Sequence, residues 1–357
     1  MIKTLKGEVV LKAFKHIAII MTVFVLVLSL VACGSDAGSE APAEETAPTE
    51  DNDATEDSAV QNGETEPVEV VLNWFPQPEF GGIYAAQEQG FYEEAGLDVT
   101  ITPGGPQVSP VQIVAAGQAQ FGLVDGDILL ESRKRDIPVS AIFATFQENP
   151  QIIMYHAGQD IEDFSDLNGR SAFIPPGQAY WDYIVAKYEL DDVQLLTYNG
   201  NTAGFAADER SVQQGYLTSE PHYLKEEGLE IEYLVTSDSG YRRYNNVLFT
   251  TEDMIQENSE VIEKFVKATQ RGWEYYLDNP ESTNEIIGSL AKGLTEEGMA
   301  YSVEAMKPLI TEGDAAEHGI GYMTEERWQT LVEQLQEIDY LPNDFNTEGL
   351  FTTEFLE

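Results

Sequence analysis

Four turns, each following a strand-like run, carry the side chains in this 357-residue sequence that could grip a small molecule. The first is NWFPQPEFGG at residues 73–82. Trp74 and Phe80 offer flat apolar surfaces there, Glu79 adds a carboxylate, and Gly81 with Gly82 lets a helix begin close by. The second, PGGPQVS at 103–109, can expose backbone N–H groups at Gly104 and Gly105. The third, IPPGQAYW at 174–181, supplies Tyr180 and Trp181. The fourth, LTSEP at 217–221, ends a strand on Glu220 and starts a helix at Pro221, and VDGD at 124–127 adds Asp125. Helix starts after such turns attract anions, yet none of these turns holds a Lys or Arg. A neutral or weakly basic ring, held by stacking and a few hydrogen bonds, suits them better. A buried Glu220 favours a ligand offering N–H donors, such as an aminopyrimidine, because an unpaired buried carboxylate is costly.

Each of these residues also has a packing role open to it. Trp74 can cap the core, Glu220 can cap the following helix, Asp125 can be structural and the glycines can simply form turns. Catalytic patterns are poor. His16, His156, His222 and His318 are widely separated, and no HExxH, CxxC, GxSxG or P-loop spacing occurs. No catalytic residue, metal site or cofactor is therefore expected.

The elements that must position these turns alternate between strand and helix from Val68 onward. VEVVLNW, LDVTIT, FGLVD, VSAIFATF and IIMY read as strands, and a helix runs through GGIYAAQEQG to Gly90. Ser109, Pro110 and Gln112 mark another helix start, and Asp127 can cap the helix that follows FGLVD. A second series follows Tyr155, with strands at VQLLTY, GYLTS and IEYLV. Over 259–279, Ile262, Phe265, Val266, Thr269, Trp273 and Tyr276 fall on one helical face, and Trp328, Leu331, Val332, Leu335 and Ile338 repeat the pattern. These stripes read as core. The alternation implies an α/β fold with largely parallel sheets. Two lobes are expected, 68–154 plus 245–357 and 155–244, with crossings near 151–157 and 238–247. Ligands then sit beyond the carboxyl ends of the strands, between lobes.

The first 32 residues read as a leader. Lys3, Lys6, Lys12 and Lys15 precede an apolar run over 17–32, which ends in Leu30-Val31-Ala32-Cys33. This looks like a bacterial lipobox, implying cleavage before Cys33 and lipid on its sulfur. Cys33 is the only cysteine, so no intrachain disulfide forms. Residues 33–67 are rich in Ala, Glu, Asp, Thr and Pro without an aromatic, and read as a disordered acidic tether. The whole chain carries a net charge of −44, and no Lys or Arg occurs between Lys15 and Arg133. Such a field repels nucleic acid.

The stretch VVLNWFPQPEFGGIYAAQEQGFYEEAGLDVTI resembles the opening of solute-binding proteins of ABC importers, in the branch for thiamine-precursor pyrimidines. VQIVAAGQAQFGLVD, DFSDLNGR and TSEP resemble further segments of that family, and the likeness spans roughly residues 68–290. Other branches take riboflavin, alkanesulfonates, taurine and nitrate. The resemblance implies a type II periplasmic-binding-protein fold, its two lobes joined by a two-crossing hinge that closes around the ligand. It implies a monomer, lipid-anchored on the outer face of the cell membrane and partnered by permease and ATPase subunits. By the same resemblance Trp74 matches a first-loop aromatic, Tyr180 a second-lobe aromatic and Glu220 a pyrimidine-contacting acid. Gln87 and Gln89 stand near a lysine usual in the family, and Gln213-Gln214 precede the return strand without a match. The roles of Arg242 and Arg243 stay open. A pyrimidine, riboflavin and a sulfonate are the expected ligands, in that order. The alternatives are a ligand-binding sensor and a related fungal pyrimidine synthase, whose cysteine-rich motif this chain lacks.

Overall fold

A computed structural model of the chain describes residues 65–198 and 200–356. The leader, Cys33 and nearly all of the tether lie outside the described residues. Among the described residues ten strands form two five-stranded sheets: β1 (Glu66–Val71), β2 (Leu97–Thr102), β3 (Phe121–Val124), β4 (Val139–Phe146), β5 (Gln151–His156), β6 (Ser171–Phe173), β7 (Gln194–Leu196), β8 (Val212–Tyr216), β9 (Ile231–Val235) and β10 (Asn245–Thr251). The orders are β2-β1-β3-β10-β4 and β7-β6-β8-β5-β9. In the first sheet β10 runs antiparallel to β3 and β4, and in the second β5 runs antiparallel to β8 and β9. The other strands of each sheet are parallel, as the alternation predicts.

β1 opens at Glu66, two residues ahead of the expected start. The larger difference is β5. It belongs to the second sheet, so the chain changes sheets at 147–150, ahead of the boundary expected at 155. The apolar run IIMY was placed by its neighbours in sequence, but its hydrogen bonds go to β8 and β9. β8 also starts earlier than GYLTS suggests, so Gln213 and Gln214 lie within it.

Seven helices matter for the site: α1 (Gly81–Glu88), α2 (Gly126–Lys134), α3 (Ala179–Lys187), α4 (Glu220–Glu226), α5 (Ser259–Asp278), α6 (Glu296–Thr311) and α7 (Glu325–Glu337). The stripe on α5 is buried as its periodicity requires, with Ile262, Phe265, Val266, Thr269, Trp273 and Tyr276 inside. Each such large apolar side chain contributes about 2 kcal/mol by leaving water. On α7, Trp328, Leu331, Val332 and Leu335 are buried likewise. Among the described residues no helix is long and apolar enough to cross a membrane.

α1 and α5 cross at unusually short range. A Cβ on Gly272 would stand 2.1 Å from the carbonyl oxygen of Gly82 and 2.7 Å from Cβ of Ala86. The indole of Trp273 fills the space beside Gly82, and the Tyr276 ring fills that beside Gly81. This contact fixes the start of α1, and with it the turn that holds Glu79. Gly272→Ala should destabilise the fold by about 2–3 kcal/mol through overpacking, read by urea unfolding. A loss below 0.5 kcal/mol, in the range of neutral surface changes, would mean the helices part without cost.

Candidate functional site

The parallel strands of both sheets bring their carboxyl ends to the space between the lobes, as expected. The two reversed strands bring their amino ends there instead. Gln151 opens β5 and Asn245 opens β10, and Arg243 lies just ahead of β10. Turns that follow strands include neither Gln151 nor Asn245, and Arg243, whose role the sequence leaves open, acquires one here.

Arg243 is 1% exposed. Its Nη1 donates to both carboxylate oxygens of Asp127, at 3.2 and 3.0 Å, and its Nη2 lies 3.0 Å from Oδ2 of Asp125. Nη2 also donates to Oε1 of Gln151 at 3.0 Å. Its guanidinium sits 5.6 Å from the centre of the Tyr180 ring. Burial pulls the guanidinium down, but the Asp125 and Asp127 carboxylates outweigh it and hold the charge above the ordinary arginine range. Burial raises the Asp125 carboxyl, and the Arg243 charge opposes that rise. The lead-in strand places Asp125 at the cap of α2, but its side chain makes no capping bond. It accepts from Nδ2 of Asn245 at 2.7 Å instead. Asp127 does not cap α2 as expected. It lies inside the first turn, where it meets Arg243 and accepts from the Tyr241 hydroxyl at 3.0 Å.

Glu79 is only 4% exposed. It sits in a single turn of tight helix ahead of α1. The Thr218 hydroxyl, from the end of β8, donates to its Oε1, so the two lobes touch through a carboxylate. Asn246 donates to the backbone carbonyl of Glu79 at 3.0 Å, from a left-handed conformation (φ 49°) that asparagine tolerates. Burial raises the Glu79 carboxyl, with the Thr218 hydrogen bond acting against it. Thr218 is pinned in turn, its carbonyl accepting from Ser302 on α6 at 2.6 Å.

Glu220 faces the same space from the first turn of α4. Its Oε2 accepts from the Tyr216 backbone N–H at 2.8 Å. Burial pushes its carboxyl up to about 7, and the nearby Glu79 charge adds to the rise. Tyr216 lies close enough to feel Asp125, Arg243 and Glu79 together, and its phenol, raised by burial, hydrogen-bonds the Asn245 side chain. The structure therefore brings Glu79, Asp125 and Glu220 together, and adds Tyr216, Thr218, Asn245 and Arg243. A stretch such as GYRRYNN, where charged and amide side chains interrupt a run leading into a buried strand, was the available signal.

Other expected residues are placed differently. Phe80 is core beside the α1–α5 crossing. Trp181 is 3% exposed in the apolar core beneath α3, since consecutive helical positions there both turn inward. Tyr180 is wholly buried, and its hydroxyl donates to Oε1 of Gln214 at 2.7 Å. Gly81 answers to the Tyr276 ring, as above. Gly104 is required because a Cβ would stand 2.1 Å from the carbonyl oxygen of Leu72. Gly105 adopts a φ of 149° beside Phe75. Trp74 stays half-buried, its ring edge-on to the exposed Phe75 at 5.4 Å. A depression of about 550 Å³ lies elsewhere, lined by Arg133, Ser140, Glu252 and Gly349. Its guanidinium is already bound to Glu252 and to the carbonyls of Val139, Glu348 and Gly349.

With this geometry in view, comparison with known proteins is decisive at the level of family. A family model described as NMT1/THI5 like matches residues 77–283, more than half of the chain and nearly all of the site. The chain belongs to the NMT1/THI5-like family. A formylaminopyrimidine-binding protein of Halalkalibacterium halodurans is 25% identical over 311 residues, covering 85% of this chain and 93% of that protein. The riboflavin-binding protein RibY of Chloroflexus aurantiacus is 23% identical and covers 81% and 86%. Saccharomyces cerevisiae THI11, named as a 4-amino-5-hydroxymethyl-2-methylpyrimidine phosphate synthase, is 25% identical over 60% of this chain and 68% of its own length. The periplasmic aliphatic sulphonate binding protein SsuA of Escherichia coli shares the fold, with a TM-score of 0.64 at 12% identity over 81% of this chain and 92% of SsuA. This family member thus has the two-lobed periplasmic-binding-protein fold.

Glu220 gives a pH signature. Unfolded, its carboxyl ionises near the ordinary 4.5, and folded near about 7. The folded state then holds the proton more tightly. Its stabilising contribution is complete below pH 4.5, fades as pH rises and is gone above 7. The wild type should lose stability relative to Glu220→Gln as pH rises across that window in urea unfolding. A wild-type-minus-variant difference that stays flat would show that Glu220 carries no such proton.

Proposed function

We propose that this chain is the extracytoplasmic, ligand-capturing component of an ABC importer, not an enzyme, and that it takes a small aromatic heterocycle. The observation that carries the reading is the pair of raised carboxyls, Glu79 and Glu220, meeting from opposite lobes around one cleft. Glu220, pushed up to about 7, can both donate and accept near neutrality, and burial moves Glu79 in the same direction. A flat ring with an amino group beside a ring nitrogen needs that combination. A thiamine-precursor pyrimidine fits it, and the relative matched over 93% of its own length is named for a formylaminopyrimidine. Closure of the lobes by rotation at the crossings would bury the ring, with Trp74 stacking on it. The cleft offers one buried guanidinium, Arg243, and it is already paired with Asp125 and Asp127. That balance disfavours a sulfonate. Riboflavin is the second reading, favoured by the likeness to RibY.

The same reading makes the chain a monomer that hands its ligand to permease and ATPase subunits, held at the membrane by lipid on Cys33. Formylaminopyrimidine should raise the melting temperature of the full chain and bind by calorimetry. Failure of both it and riboflavin to do so would sink the heterocycle assignment. Trp74→Ala should weaken binding by about 1–3 kcal/mol if the indole stacks, and an unchanged affinity would leave Trp74 a packing residue. Cys33→Ser should move the protein from the membrane fraction to the soluble fraction on cell lysis. Continued membrane association without labelled fatty acid would remove the lipid anchor.

A further inference from the structure

The lobes meet a second time, along α6. This helix follows β10 of the first sheet, while α4 follows β8 of the second. Near its carboxyl end α6 is tied to the hinge. The Leu309 carbonyl accepts from the backbone N–H groups of Gln147 and Glu148, at 2.8 and 3.1 Å. From Leu309 back to Gly298 the helix runs about 16 Å. There it meets the other lobe.

Gly298 lies in the first turn of α6, where glycine costs more conformational entropy than alanine. Nothing in its own lobe accounts for that choice. A Cβ on Gly298 would stand 2.4 Å from the Tyr223 hydroxyl oxygen and 2.5 Å from Cζ, and the three atoms nearest to it all belong to Tyr223. The phenol from α4 therefore occupies the place of a side chain. The Thr295 N–H, at the cap of α6, donates to the same hydroxyl at 3.4 Å. Within the next turn, the Tyr301 hydroxyl donates to the Leu217 carbonyl at 3.0 Å. The Ser302 hydroxyl donates to the Thr218 carbonyl at 2.6 Å. Two neighbouring hydroxyls thus hold two neighbouring carbonyls of the turn between β8 and α4. The His222 ring stacks on Tyr301, with centroids 5.1 Å apart.

When lobes rotate about a hinge, contacts at the pivot barely change and those farthest from it part most. The Leu309 contacts are of the first kind and the Gly298 contact is of the second. We propose that the amino-terminal half of α6 is the latch of the closed form, with Gly298 as the socket for Tyr223 and with Tyr301 and Ser302 gripping the 217–218 turn. The same turn carries the Thr218 hydroxyl that bonds Glu79. Making the latch therefore seats Thr218 on a carboxyl of the cleft. Gly298, Tyr223 and Tyr301 are positioning residues that act on the ligand through closure. The latch rests on the lobe closure proposed above and not on the identity of the ligand.

The test uses the full chain with Cys33→Ser, which removes its one thiol, and with spin labels on Glu93→Cys and Glu227→Cys, exposed sites in the two lobes. Pulsed EPR without ligand should give a short and a long distance, because every latch contact joins protein to protein. Adding Gly298→Ala or Tyr301→Phe should move molecules from the short distance to the long one. The melting temperature of ligand-free Gly298→Ala should not fall, since alanine suits the helix better. A single distance before these changes, or distributions that neither change alters, would overturn the latch. A lower melting temperature with unaltered distances would return Gly298 to packing alone. Formylaminopyrimidine affinity, by calorimetry, should weaken about 5-fold in each variant, and unchanged affinity would show that the contact does not hold the closed form. If the protein binds no pyrimidine but the distances shift as stated, the heterocycle assignment fails and the latch stands.

Discussion

A buried positive charge between two lobes constrains nearly everything described here. Removing a guanidinium from water costs several kcal/mol, and only well-placed carboxylates and acceptors offset it. Asp125 and Asp127 supply the charge from the first lobe, and Gln151 supplies an acceptor from the second. Both lobes are therefore committed to one point in the hinge. The positions of Asn245 and Gln214 follow from it, because each bonds to a partner of Arg243, and Tyr180 follows one step further through its bond to Gln214. Arg242, next in sequence, shows the contrast. It forms an exposed pair with Glu148, an arrangement that contributes little in water.

The layout of the fold was largely legible from periodicity. LDVTIT, VSAIFATF and IEYLV are strands to the residue, and the α5 stripe is buried where its spacing puts it. What periodicity could not say is which sheet a strand joins. IIMY is apolar whichever neighbours it takes, and only pairing partners assign it to the second lobe. Helix starts were found at Ser109-Pro110, though the Ser109 side chain makes no capping bond.

The site was half legible. Glu79 and Glu220 stood out as acids in apolar or helix-opening turns, and both prove to be shielded carboxyls. Trp181 and Phe80 misled because an aromatic beside a turn satisfies the core as well as a cleft. Arg243 was visible as a residue but not as a partner. Its companions Asp125 and Asp127 lie more than a hundred positions away, and nothing in GYRRYNN says which arginine turns inward. Gln151, Gln214 and Thr218 carry no signal of their own. An amide or hydroxyl in a strand acquires meaning only from what the opposite lobe offers it.

The reversed strand β10 also orders the making of the protein. It lies between β3 and β4 in the first sheet, yet it is reached only after every strand of the second. A chain emerging from its amino end therefore leaves β4 with an open edge toward the centre of its own sheet until residues 245–251 arrive. The second sheet is contiguous from 151 to 235 and can close by itself in the meantime. The lobe begun first is the lobe finished last, and Arg243, two residues before β10, is the point at which the two are joined.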